Sequence, residues 1–237
     1  MKKGSEQKAK KILQTLTALK TKQFHRPFVI EITGTPEAGK TSVINTLTRF
    51  FKRCDWRVHN PTEGAEVIEK VPRINHIYNI RTGIYALSEL LDNVYSLDFD
   101  LIIFDRGLYD AFCWQEYWLK KEIISLDLAQ TNQTFFTQSE ILKNIDTCFF
   151  VVCQAEESMR RADQWNLSKK QGETTNPETI KNLIDIWKNC HQQFSESGNS
   201  VILLDTTEIN PQKMGQFILV ETIKAMQKRI NKLKSVN

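Results

Sequence analysis

The most specific chemistry in the chain is carried by the run Gly34-Thr35-Pro36-Glu37-Ala38-Gly39-Lys40-Thr41, followed by Ser42. The spacing GxxxxGK[ST] is that of a loop whose backbone wraps phosphate oxygens. Gly34 and Gly39 permit backbone conformations that turn N–H groups inward. A helix following the loop, over 41–53, would add its positive N-terminal end. In such a loop the lysine, here Lys40, reaches the β- and γ-phosphates of a nucleoside triphosphate, and Thr41 offers its hydroxyl to magnesium. Glu37 stands inside the loop, either exposed to solvent or in water-mediated contact with magnesium.

Further chemistry falls at the ends of apolar runs. FDLIIFD (99–105) closes on Asp105-Arg106-Gly107. A carboxylate after an apolar strand beside a phosphate loop is a second magnesium anchor, or a base on an acceptor hydroxyl. Arg106 brings a fixed positive fork suited to phosphate. Asp110 lies one turn into the next helix, where it caps that helix or contacts substrate. After WRVHN (56–60) comes Pro61-Thr62-Glu63. Glu63 opens onto the same crevice, where it is a general base or binds an acceptor group, or else it and Glu66, one turn further on, are first-turn helix acids.

These residues need strands to hold them. FVIEIT (28–33), WRVHN (56–60), FDLIIFD (99–105), TCFFVVC (147–153) and SVILLD (200–205) read as five strands. Between them, helical periodicity predicts helices over 41–53, 78–97, 110–123, 134–145, 158–165 and 177–194, the last with proline in its first turn. A helix over 8–22, with Ile12, Leu13, Leu16 and Leu19 on one face, precedes the first strand, and another over 211–234 closes the chain. Alternation of apolar strands and helices predicts an α/β fold, a parallel sheet with helices on both faces. Ligands bind such sheets beyond the carboxyl ends of the strands.

Composition narrows the class. The chain has 237 residues, 41% hydrophobic and 25% charged, as in a globular protein. No apolar stretch approaches the ~20 residues of a membrane span, and no secretory h-region follows the N-terminal lysines. The five cysteines (54, 113, 148, 153 and 190) form no CxxC pair, so reduced thiols and a cytoplasmic location are expected. The net charge of +4 conceals a split. Residues 1–26 hold eight Lys/Arg against one Glu, and 211–237 hold six against one, so the stretch between them is net negative. The basic ends are solvated helices, or docking arms for nucleic acid or a partner protein. The acidic middle disfavours a broad nucleic-acid face.

With these pieces placed, residues 27–210 resemble the thymidylate kinase and deoxynucleoside kinase group of P-loop kinases, and the bacterial P-loop proteins allied to it. The likeness rests on GTPEAGKT, the PTE turn, FDRG, the arginine pair of SMRRADQW (158–165), and LDTT at 204–207. The resemblance implies a P-loop NTPase fold with sheet order 2-3-1-4-5. It implies a lid at about 154–176, where Arg160 or Arg161 closes over the triphosphate and Lys169 and Lys170 join it or remain solvated. It also implies a turn at Asp205-Thr206-Thr207 against the nucleotide base. The long central helix would line an acceptor pocket. Arg73 and Arg81 would meet an anionic acceptor there or lie on a solvated face. Tyr78, Tyr85 and Trp114 would wall the pocket or pack in the core. Two departures stand out. Thr62 replaces the basic residue usual in thymidylate kinases, and Gly107 replaces their usual aromatic residue.

The expected function is Mg-ATP-dependent phosphoryl transfer to a small acceptor, a nucleoside or nucleotide, with ATP or another NTP as donor. The donor would be held by residues 34–42, with magnesium on Thr41 and Asp105. Lys40, Asp105, Arg106, Glu63, Arg160 and Arg161 would form the catalytic set. Thr62 tilts the acceptor towards a hydroxyl. An NTP-hydrolysing regulator of a partner protein and a kinase of nucleic-acid ends are the competing readings. A homodimer is left open. A GTPase switch is disfavoured, since no NKxD sequence occurs and Asp105 opens no DxxG.

Overall fold

The five apolar runs fold as strands. The computed structural model describes residues 12, 14–17, 26–165 and 176–234. Along the chain come β1 (Phe28–Gly34), α1 (Lys40–Arg53), β2 (Val58–His59), α2 (Gly64–Val67), α3 (His76–Val94), β3 (Leu101–Asp105) and α4 (Leu108–Lys120). They are followed by α5 (Leu126–Phe136), α6 (Ser139–Leu142), β4 (Thr147–Val152), α7 (Ala155–Trp165), α8 (Pro177–Glu196), β5 (Val201–Asp205) and α9 (Pro211–Lys234). All pairings are parallel, and the sheet order is β2-β3-β1-β4-β5, as expected.

Successive strand residues point to opposite faces, and each face has its own core. On one, α3, α4 and α8 cover Val29, Ile102, Phe104, Cys148 and Phe150. On the other, α1 and α9 cover Ile30, Ile32, Ile103, Phe149 and Val151. Helix α9 contributes Met214, Ile218, Met226 and Ile230 to the second core. It runs so close to α1 that a Cβ on Gly215 would lie 2.8 Å from Thr46 Cγ2. Ile12 and Leu16 pack on the same core; Leu13, Leu19, Lys169 and Lys170 lie outside the described residues. Asp146 ties these parts together, accepting hydrogen bonds from Arg26, Arg229 and the Val29 amide at 2.8–2.9 Å. Cys113, Cys148, Cys153 and Cys190 are free and buried, and Cys54 is free and half-buried.

Two elements differ from expectation. The single helix expected over 134–145 is two shorter helices, α5 and α6. Ser125 starts α5 early by accepting the Leu128 amide at 3.2 Å, and Thr137-Gln138 separate the two. Strand β2 has only Val58 and His59, because Trp56 turns under α1, with its ring 5.2 Å from that of Phe51.

Candidate functional site

Residues 34–40 form a tight loop at the carboxyl end of the central strand. Gly34 (φ 154°), Glu37 (φ 53°) and Gly39 (φ 91°) all have positive φ. At Gly34 the requirement is absolute, since a Cβ there would lie 1.9 Å from the Val151 carbonyl oxygen. Helix α1 begins at Lys40 with no side-chain cap from the described residues and no acid in its first turn. Its first amides therefore remain for an anion.

Three side chains brace this loop from outside. Ser158 Oγ donates to the Pro36 carbonyl (2.7 Å), Arg161 Nη1 to that of Glu37 (3.1 Å), and Thr206 Oγ1 to that of Ala38 (3.0 Å). In a planar trans peptide the N–H points opposite to the carbonyl, so these anchors turn the Glu37 and Gly39 amides away from the bracing side chains, while the Ala38 amide lies 3.4 Å from the Thr35 carbonyl. Lys40 is 8% exposed, and its ammonium donates to the Gly34 and Thr35 carbonyls at 3.2 and 2.9 Å. Burial lowers its pKa to about 8, the behaviour of a cation waiting for negative charge.

Strand β3 lies next to β1, with Asp105 in register with Ile32. This brings Asp105 Oδ2 to 3.5 Å from Thr41 Oγ1. The other oxygen, Oδ1, is buried with no hydrogen-bond partner among the described residues. Burial raises the Asp105 pKa, while Lys40 and Arg106 oppose the rise. A hydroxyl beside an unsatisfied carboxylate oxygen suits a hard, oxygen-seeking cation such as magnesium.

Arg106 sits in the left-handed region (φ 63°), which aims its side chain back across the sheet end. Its Nε donates to Glu63 Oε1 and its Nη1 to Asp110 Oδ1, both at 2.9 Å, and Nη1 also lies 3.3 Å from the Gly34 carbonyl. Burial works against its charge, but Asp110, Glu63 and Asp105 outweigh that and raise its pKa. Asp110 is buried and accepts further hydrogen bonds from Thr33 Oγ1 (2.7 Å) and Trp114 Nε1 (2.9 Å). Thr33 in turn accepts from Trp187 Nε1 (2.9 Å).

Asp110 is thus not the cap of α4. That role belongs to Glu31 in β1, whose carboxylate accepts the Tyr109 and Asp110 amides at 3.2 and 2.9 Å. Glu31 is fully buried, and burial pushes its pKa up to about 8 despite those bonds. It also explains Gly107, where a Cβ would stand 2.6 Å from Glu31 Oε2. Any side chain at that position would push the Glu31 carboxylate off the amides it caps.

Beyond Asp105 and Arg106, which touch Thr41 and the Gly34 carbonyl of the loop, lies a cavity of about 440 Å³ whose lining includes Glu63, Asp105, Arg106 and Asp110 and no residue of the loop itself. Tyr78, Tyr85 and Trp114 line it, where core packing was the first expectation, although Tyr78 is also buried and Trp114 packs against the core; Arg73 lines it too. Arg81 is exposed on α3 and does not line the cavity. The Tyr78 hydroxyl is buried without a hydrogen-bond partner among the described residues.

The sequence-predicted residues divide accordingly. Lys40, Thr41, Asp105, Arg106 and Glu63 meet in one place. Thr35 is buried, its hydroxyl accepting the Cys153 amide (3.3 Å), while Pro36 is half-buried and Glu37 and Ser42 are exposed. The arginine pair goes elsewhere. Arg161 donates to Glu157 and Thr206 as well as to the loop, and Arg160 is exposed and paired with Glu157. Neither lines the cavity. Thr206, expected beside a base, is buried against the loop, whereas Asp205 is exposed.

Glu31, Thr33 and Ser158 were missed. For Glu31 a signal existed, since a charge inside the apolar run FVIEIT needs a partner when the strand is buried. A comparison with protein-family models gives no match, and a comparison with curated proteins gives none either.

Proposed function

We propose that this protein transfers the γ-phosphoryl group of a magnesium-bound nucleoside triphosphate to a hydroxyl of a small acceptor held in the cavity. The observation that carries this is the contact between the two halves of the site. Arg106 touches both the Gly34 carbonyl of the loop and the carboxylates of the cavity. A triphosphate on the loop would present its γ-group to the cavity at that junction.

The geometry supports the following roles. The loop amides and Lys40 hold the β- and γ-phosphates. Thr41 and Asp105 would hold magnesium, which when bound would neutralise charge on the phosphate oxygens. Glu63, a quarter exposed at the cavity edge, takes the proton from the acceptor hydroxyl as its oxygen bonds to the γ-phosphorus. The bond from that phosphorus to the β–γ bridging oxygen breaks, and the diphosphate leaves with its electron pair. Arg106 stays beside the transferring group, held by two carboxylates.

The cavity favours a hydroxyl over a phosphate acceptor. Its guanidinium nearest the loop, Arg106, is already bridged by Glu63 and Asp110, and Asp105 adds a third carboxylate. A phosphate acceptor needs free cations, and among the described residues that line the cavity Arg73 is the one cation besides Arg106. Aromatic walls suit an acceptor with a flat ring, such as a nucleoside.

The test is incubation with γ-labelled ATP, magnesium and panels of nucleosides, nucleoside monophosphates and oligonucleotides. Label on a hydroxyl compound is expected. Label appearing only as inorganic phosphate would mark a hydrolase and overturn the proposal.

A further inference from the structure

Tyr78, Tyr85, Phe104, Trp114, Tyr117 and Trp118 all bring rings to the cavity lining. An aromatic ring is negative on its face and positive at its edge. In both indoles the polar edge is already spent. Trp114 Nε1 donates to Asp110 Oδ2 at 2.9 Å, and Trp118 Nε1 to Asn79 Oδ1 at 2.8 Å. What these rings have left for a ligand is their faces. Two rings of the group already draw a cation, since the Lys121 ammonium lies 5.4 Å from the centroid of Tyr117 and 5.9 Å from that of Trp118.

The charges of the lining lean the same way. Among the described residues, Glu63, Asp105 and Asp110 stand against Arg73 and Arg106. Arg106 is held between Glu63 and Asp110, so its charge is answered within the protein. Arg73 is exposed and donates to the Ala65 carbonyl at 2.8 Å. Asp105 Oδ1 and the hydroxyl of Tyr78, a residue 7% exposed, have no hydrogen-bond partner among the described residues. A triphosphate on the loop would add negative charge at the junction, more than its magnesium would offset. Ring faces beside a surplus of carboxylates are the chemistry that recognises an organic cation. A neutral ring would use the apolar walls and leave that surplus unanswered.

We propose that the cavity takes a hydroxyl-bearing organic cation whose positive charge is spread over a flat ring. The ring lies against Tyr85 and Trp114, and the hydroxyl reaches Glu63. This rests on the reading of the cavity as the acceptor site, and it names the class of acceptor within it.

N-hydroxyethylpyridinium and phenylethanol share a shape and a hydroxyl and differ by a single charge. A merely apolar pocket prefers phenylethanol, which costs less to remove from water. Titration of each into the full chain, followed by NMR shifts of the tryptophan indole N–H groups, measures binding with no triphosphate present. The pyridinium is expected to bind about ten-fold more tightly. Tyr85→Leu should cut that preference to about two-fold or less. Tyr85→Phe keeps the ring face and should retain it, which a variant that merely disturbed the fold would not do. Phenylethanol binding as tightly as the pyridinium or more so, or no pyridinium binding at millimolar concentration, would overturn the proposal. Phosphoryl transfer to neutral nucleosides alone would overturn it too, while leaving the proposed reaction standing. Cation selectivity without any transfer would uphold it and sink the reaction instead.

Discussion

Glu31 shows how much one side chain sets in this site. It places the first amides of α4, and through them Asp110, which holds Arg106. Its elevated pKa gives a signature. An exposed glutamate titrates near 4.5, and here burial moves the carboxyl to about 8. The folded state therefore favours the protonated form, and its contribution to stability is complete below about pH 4.5 and lost as the pH rises through about 8. Glu31→Gln cannot ionise. Thermal melts from pH 4.5 to 8.5 should show the variant gaining on the wild type by an amount on the order of a few kcal/mol, on top of a constant offset for the altered cap. A difference that does not change with pH would mean that Glu31 titrates as an ordinary carboxyl. Lys40, Thr41, Asp105, Arg106 and Glu63 were legible in the sequence because each stands at a strand end or in a motif with fixed spacing. The partnership of Asp110 with Thr33, 77 residues away, leaves no local pattern.

At the scale of elements, the loop owes its shape to segments distant in sequence. Ser158 and Arg161 reach it from α7, and Thr206 from the turn after β5. Helical spacing could place Arg160 and Arg161 on one helix but not say which faced the loop. The register of α7 decides it, turning Arg161 inward and leaving Arg160 outside with Glu157. Thr206→Val keeps the shape of the side chain and removes the single hydroxyl proton that the Ala38 (3.0 Å) and Val152 (3.2 Å) carbonyls share. Loss of a buried hydrogen bond that leaves a carbonyl unsatisfied costs about 1–3 kcal/mol. The expectation is a modest fall in melting temperature and a roughly ten-fold loss of triphosphate affinity by titration. Unchanged affinity would show that the brace does not shape the loop. The division of 126–142 into α5 and α6 was hidden for a related reason. On α5 only Ala129, Gln133 and Phe136 are buried, too few to set a helical period.

At the scale of the molecule, the fold was the most legible part, because apolar runs of strand length separated by amphipathic helices leave little choice but a parallel sheet covered on both sides. Sheet order came from the resemblance, and the pairings agree with it. The cavity was less legible, since it is assembled from α3, α4 and the turns after β2 and β3. The chemistry proposed for it depends on one premise, that residues 34–42 seat a nucleoside triphosphate with magnesium. Calorimetric titration of magnesium-ATP into the wild type and Lys40→Ala tests that premise most directly. One site per chain is predicted for the wild type. In Lys40→Ala the affinity should be weaker by at least about 100-fold, as expected when a buried charge pair worth ~3 kcal/mol is lost, with an unchanged fold by circular dichroism. Absence of binding to the wild type, or equal affinity in both proteins, would contradict the account.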